Sequence, residues 1–115
     1  MAGTINLNRR DYMTESEFNE LADAIFERIQ RAVDDSGVDI ECNLNGPVLE
    51  LEFEDGSKII INRHAPNKEI WLAAKSGGFH FAMQDGRWTS RRDGSELFGK
   101  LGELIKTGTG TTVMF

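Results

Sequence analysis

The sequence predicts an α+β fold, a two-layer α-β sandwich with two helices packed on one face of an antiparallel sheet of five to six strands. Three observations carry this expectation: a long amphipathic helical pattern at the start, a run of short alternating segments separated by tight-turn signals, and a second helical pattern near the end. The 115 residues suit one domain, read as an N-terminal extension over 1–12, a folded domain over 13–108 and a C-terminal tail over 109–115. The opening MAGTINLNRRDY has neither the apolar core of a signal peptide nor the length of a transit peptide, and Met13, just before a helix start, is a candidate initiator.

Thr14-Glu15-Ser16-Glu17 fits a capping box, and Phe18, Leu21, Ala22, Ile25, Phe26, Ile29, Ala32 and Val33 follow at helical spacing as one apolar stripe. Gly37 suits the left-handed position that closes the helix. Val38, Ile40, Cys42 and Leu44 then alternate with polar residues, as do Leu49, Leu51 and Phe53, which marks two half-buried strands. Asn45-Gly46 is the expected two-residue turn, pairing Cys42 with Leu49, Ile40 with Leu51 and Val38 with Phe53. Asp55-Gly56 turns the chain into Lys58 to Asn62, where three successive isoleucines leave the facing open between a bulge and two-sided burial. Glu69 to Ala74 reads as a strand, Gly77-Gly78 as a turn, Phe79 to Met83 as a strand, and Asp85-Gly86 as a turn into Arg87 to Ser90. The last helix runs from near Ser95 to about Lys106, with Leu97, Phe98, Leu101, Leu104 and Ile105 on one face and Gly108 ending it.

Charge is unevenly spread. Thr14 to Asp55 carries 13 acidic and two basic side chains, whereas Lys58 to Lys106 carries nine basic and five acidic. A net charge of −6 argues against a nucleic-acid binder, the single cysteine rules out an internal disulfide, and no apolar run approaches the roughly 20 residues of a membrane span. A cytoplasmic protein with no membrane role is expected.

At about 100° per residue, Glu20, Asp23, Glu27 and Asp34 fall on the side of the first helix opposite its apolar stripe. Asp23 and Glu27 repel at i,i+4, with Glu27 and Arg31 compensating in part, and Asp34 and Asp35 sit where the helix dipole disfavours anions. The expected hairpin register sets Glu41 against Glu50 and Asp39 against Glu52 on the outer face. Repeated unfavourable placement favours a functional acidic surface over a merely solubilising one. Carboxylates without histidine or thiolate suit hard cations, bound shallowly and weakly, because neither an EF-hand nor a di-iron spacing is present.

Trp71 is the second singular residue. Alternation with Ile70 and Leu72 turns its indole outward, where it would anchor a partner, with Asn62, Arg63, Lys68 and Glu69 as a polar rim. His64 and His80 are too isolated to form a catalytic pair, Cys42 reads as a buried small hydrophobe, and no serine has a nucleophile context. Covalent or acid–base catalysis is not indicated.

Asn62-Arg63, Ala65-Pro66-Asn67-Lys68-Glu69-Ile70-Trp71-Leu72-Ala73-Ala74-Lys75, Gly77-Gly78-Phe79-His80-Phe81 and Trp88 together resemble the frataxin family in its bacterial form. The upstream run Val48 to Asn62 and the opening Ser16-Glu17-Phe18 with Leu21-Ala22-Asp23 are similar as well, so the resemblance spans about Met13 to Lys106. It implies the same sandwich fold, weak and superficial binding of iron as Fe²⁺ or Fe³⁺, and a role in iron–sulfur cluster assembly. The implied partners are the cysteine desulfurase and the iron–sulfur scaffold protein, with a regulatory effect on desulfurase turnover by a monomer capable of iron-driven oligomers. Asp23, Asp34, Asp35, Asp39 and Glu41 match the family's ridge acids, Glu20 and Glu27 add charge to the same ridge, and Trp71 with Asn62 matches its sheet-surface contact. Gln30 and Arg31 stand where bacterial relatives often carry acids. The competing readings are an acidic docking module that meets metal only incidentally and, more weakly, a ferroxidase.

Overall fold

A computed structural model describes residues 13–115; the extension expected over 1–12 lies outside the described residues. The order is helix α1 (Glu15–Ser36), strands β1 (Ile40–Asn45), β2 (Val48–Phe53), β3 (Lys58–His64), β4 (Glu69–Ala74), β5 (Gly77–Gln84) and β6 (Arg87–Ser90), then helix α2 (Leu97–Thr109). A single 3-10 turn, Ala65–Asn67, joins β3 to β4. The strands form one six-stranded antiparallel meander in sequence order, which leaves β1 and β6 as its edges.

Helix α1 begins as its sequence dictates. Thr14 accepts the Glu17 amide at 3.0 Å while Glu17 accepts the Thr14 amide at 2.9 Å, a complete capping box. It ends at Gly37, whose φ of +72° lies in the left-handed region where glycine carries no Cβ penalty. Phe18, Phe26 and Ile29 are fully buried, and α2 adds Leu97, Leu101 and Ile105. These meet Leu49, Leu51, Ile61, Ile70, Leu72 and Phe81 from the inner face of the sheet, each such side chain contributing about 1.5–3 kcal/mol on burial.

Three local expectations are corrected. The first hairpin turns at Gly46-Pro47, so Cys42 pairs with Leu51 and Ile40 with Phe53, two residues away from the expected register. Gly46 takes φ +61° at the first central position and proline's fixed negative φ suits the second, whereas a turn at Asn45-Gly46 would have put proline, with no amide to donate, at the start of β2. A shift of two preserves the facing of every side chain, so the inner and outer sets survive. The β4–β5 hairpin turns at Lys75-Ser76, and Gly77 and Gly78 belong to β5 opposite Ala74 and Ala73. Helix α2 continues through Gly108 to a left-handed cap at Gly110, because Gly108 is a contact glycine: a Cβ there would come within 2.9 Å of Phe53 Cδ2. The three isoleucines need no bulge; Ile59 and Ile61 are buried, and Ile60 lies outward between Glu50 and Ala73. Beyond α2 the chain returns to the helical layer, with Val113 buried and Phe115 against Phe98.

Candidate functional site

Two surfaces carry the residues singled out by the sequence: one follows α1 onto the edge strand β1, where Glu41 reaches the outer face of the sheet, and the other lies at the centre of that outer face. The first is the acidic ridge. Glu20, Asp23, Glu27, Asp34 and Asp35 are exposed on α1, and Asp39 and Glu41 continue the exposed acid onto the approach to β1 and β1 itself. The last turn of α1 contains no basic residue, so Asp34 and Asp35 face the negative end of the helix dipole uncompensated by the helix. Asp34 also lies close enough to Cys42 to add to the burial that pushes that thiol up, so the helix terminus and β1 form one continuous surface. Across the first hairpin Glu41 opposes Glu52, and Glu50 opposes Asn43, instead of the Glu41–Glu50 and Asp39–Glu52 pairs expected.

The ridge acids divide into two kinds. Glu27 pairs with Arg31 on the helix surface, and Asp23 pairs with Arg63 reaching across from β3. Glu20, Asp34, Asp35, Asp39 and Glu41 form no ion pair among the described residues. No group of three or more His, Cys, Asp or Glu side chains converges tightly enough to hold a metal ion among those residues. Carboxylate oxygens are the donor type that suits a hard cation.

Arg63 departs from its expected place. The sequence places it in the rim around Trp71, yet strand alternation sends it to the inner, helix-facing side. Its side chain, 15% exposed, bonds the Asn19 carbonyl at 3.2 Å, pairs with Asp23 and sits 5.1 Å from the centre of the Phe26 ring. It therefore ties one ridge carboxylate to β3.

The second surface is the outer face of β3, β4 and β5. Trp71 stands opposite Asn62 on β3 and His80 on β5, and Glu69 opposite His64. The indole is clamped between two imidazoles: His64 stacks at 4.1 Å with planes 5° apart, and His80 at 4.2 Å with planes 7° apart. The indole Nε1–H donates to Glu69 Oε1 at 2.9 Å. Asn62, Glu69 and Trp71 thus share this face as expected, while the histidines set aside as isolated are the residues that hold the tryptophan. Beside His80 a cleft of about 420 Å³ is lined by Glu69, Gly78, Ser90, Arg91 and Arg92.

A frataxin-like domain model matches residues 11–111 of this chain. The iron-sulfur cluster assembly protein CyaY of Neisseria meningitidis serogroup B is 48% identical over 101 residues, which cover 88% of this chain and 94% of that protein. Among solved structures, the frataxin from Psychromonas ingrahamii matches with a TM-score of 0.84 at 38% identity, covering 88% of this chain and 96% of that one. A trimeric frataxin from the yeast Saccharomyces cerevisiae, complexed with ferrous iron, matches with a TM-score of 0.67 at 25% identity, over 95% of this chain and 96% of its own.

Proposed function

As the chain belongs to the frataxin-like family of iron–sulfur cluster assembly proteins, we propose that it captures iron weakly along the acidic ridge and regulates the cysteine desulfurase and scaffold complex in an iron-dependent way. The observation that carries this reading is the set of five exposed ridge carboxylates, Glu20, Asp34, Asp35, Asp39 and Glu41, without ion-pair partners among the described residues. Anions left unpaired along a helix end and a sheet edge attract hard cations and steer basic surfaces toward them. The solved yeast relative complexed with ferrous iron supports the cation side of the reading. Catalysis is no part of the proposal. The test is to titrate Fe²⁺ into labelled protein, and then to measure desulfurase turnover with and without the protein at several iron concentrations. Broadening confined to the ridge amides together with an iron-dependent change in turnover is the expected result; signals that stay sharp at all of these positions sink the metal claim.

The lack of a converging ligand set among the described residues favours one second reading, in which docking is primary and metal incidental. Reversing Asp34, Asp35 and Glu41 to lysine separates the two. Loss of desulfurase binding in metal-free buffer selects docking, whereas loss seen only with iron present selects iron capture.

A further inference from the structure

The outer face of the sheet carries an arrangement that neither the acidic ridge nor the assembly role accounts for. Trp71 has no free aromatic face, because His64 covers one side of the indole and His80 the other, both nearly parallel to it. Its one polar atom is engaged by Glu69. What remains for a partner is the edge of the indole and the outer surfaces of the two imidazoles.

The His64 ring is oriented by the stack itself. Its Nδ1 is buried and has no hydrogen-bond partner, the one such side-chain nitrogen or oxygen among the described residues. Buried imidazole nitrogens are ordinarily fixed by a hydrogen bond that selects the tautomer. Here contact with the indole, and not a polar partner, sets the ring plane. The three rings come from three adjacent strands, so each is placed by the register of the sheet: His80 directly opposite Trp71, and His64 diagonal to it, two residues beyond Asn62.

We propose that His64 and His80 are positioning residues for Trp71: the three rings form one stacked unit that holds the indole edge-on to a docking partner and makes its presentation depend on imidazole protonation. Adding a proton to the exposed His80 ring replaces a neutral stack by a cation held against the electron-rich face of an indole, a stronger and more directional contact, whereas a proton on His64 leaves a buried Nδ1–H without an acceptor and loosens that side of the stack. Histidine is the side chain whose charge changes on proton uptake without loss of its planar, stackable ring. The charged groups that face the rings are Glu69 from β4 and, on the His80 side, Arg91 and Arg92 from the segment after β6. Both helices pack on the opposite face of the sheet. The proposal rests on the reading of Trp71 as a docking contact, but its physical content can be measured on the free chain.

The experiment follows the two indole N–H signals and the two imidazoles of the labelled full chain between pH 5 and pH 8. Trp88 is buried against Phe18 and provides the internal control. The expected result is that the Trp71 indole signal moves with the midpoints of the imidazoles while Trp88 stays flat. His80→Gln removes one component of that movement, His64→Gln the other, and the double variant leaves a mobile, pH-independent indole in an otherwise unchanged spectrum. A Trp71 signal that stays flat while either imidazole titrates overturns the proposal, as does a profile unchanged in both single variants. Failure of the docking reading shows separately, as a Trp71→Ala variant that binds desulfurase and scaffold as well as the parent.

Discussion

The two proposed functional surfaces are built by opposite means. On the acidic ridge, five carboxylates stand in solvent without ion-pair partners among the described residues, and their value lies in charge density more than in position. On the outer face of the sheet, Trp71 is held by two rings and a hydrogen bond, and its value lies in position. A surface of the first kind should tolerate single changes and respond to salt, whereas one of the second kind should fail at a single residue. Arg63 joins them physically, since β3 carries Asn62 and His64 outward to the stack and Arg63 inward to Asp23.

The largest expected effect is that of Trp71→Ala. An aromatic anchor presented edge-on to its partner costs about 2 kcal/mol or more when truncated, roughly 30-fold in partner affinity. The fold itself loses two stacked pairs, each worth about 0.5–1.5 kcal/mol. A neutralised single ridge acid such as Glu41→Gln should weaken binding much less, and titration of desulfurase–scaffold complex against each variant checks the contrast. Equal losses for the two variants would break the distinction between the surfaces.

Next in size is Arg63→Met, which keeps an apolar stem but removes the contact to Asp23, the bond to the Asn19 carbonyl and the charge near Phe26. A loss of about 1–2 kcal/mol follows from a charge-assisted bond and a cation–π contact in a partly screened site. Arg31→Met is the control, because the Arg31–Glu27 pair is 69% exposed on both sides and such pairs contribute at most about 0.5 kcal/mol. Urea unfolding should show a lower midpoint at constant slope for Arg63→Met and little change for Arg31→Met.

A smaller effect, of opposite sign for stability and binding, is expected from Asp34→Asn with Asp35→Asn. Removing anions from the negative end of α1 should stabilise the helix by a few tenths of a kcal/mol each. The same change should weaken partner docking, and the weakening should fade as salt rises, because exposed charges are screened over about 8 Å at physiological ionic strength. Melting temperature and partner affinity measured at low and high salt test both halves together. Docking that does not depend on salt would mean that the ridge is read by shape.

Much of this was legible in the sequence, and the failures share one origin. The periodicities of 3.6 and 2 place the stripe of α1 and the inner and outer sets of the sheet, so Glu20, Asp23, Asp34 and Trp71 face solvent or the outer side as expected. What periodicity leaves open is the register between strands, which depends on which residues turn. A turn at Gly77-Gly78 would set Trp71 opposite Gln84; the turn at Lys75-Ser76 sets it opposite His80. The stack was hidden by that four-residue difference in register. Arg63 was misplaced for a different reason: it is a neighbour of Asn62 in sequence, and adjacent strand residues point to opposite faces. Gly108 shows the third limit, since a helix-ending signal and a close-approach glycine look alike until Phe53 is seen against it.

The smallest effect concerns carboxylates that are not free, and it separates committed from uncommitted acid within one molecule. Asp55 and Asp93 each accept two bonds at Oδ1 from a serine two residues on. Ser57 donates its hydroxyl at 2.6 Å and its amide at 2.9 Å, and Ser95 donates at 2.7 and 3.0 Å. The hydroxyl and then the amide hold each carboxyl below the ordinary aspartate value of 3.8, with Lys75 and Lys100 adding to the effect. A pKa lower in the folded chain than in the unfolded one means that the unfolded chain takes up protons first as pH falls. The stability these turns contribute is therefore complete above about pH 4–5 and disappears as pH drops through the folded values. Ser57→Ala and Ser95→Ala should lower the melting temperature slightly at pH 7 and shrink the drop between pH 5 and pH 3, because less remains to be lost. Both groups are exposed, so the change is small and needs the double variant to be read clearly. If the drop between pH 5 and pH 3 is the same in parent and double variant, these turns do not hold their acids in solution, and the division between tied and free carboxylates fails where it is easiest to measure.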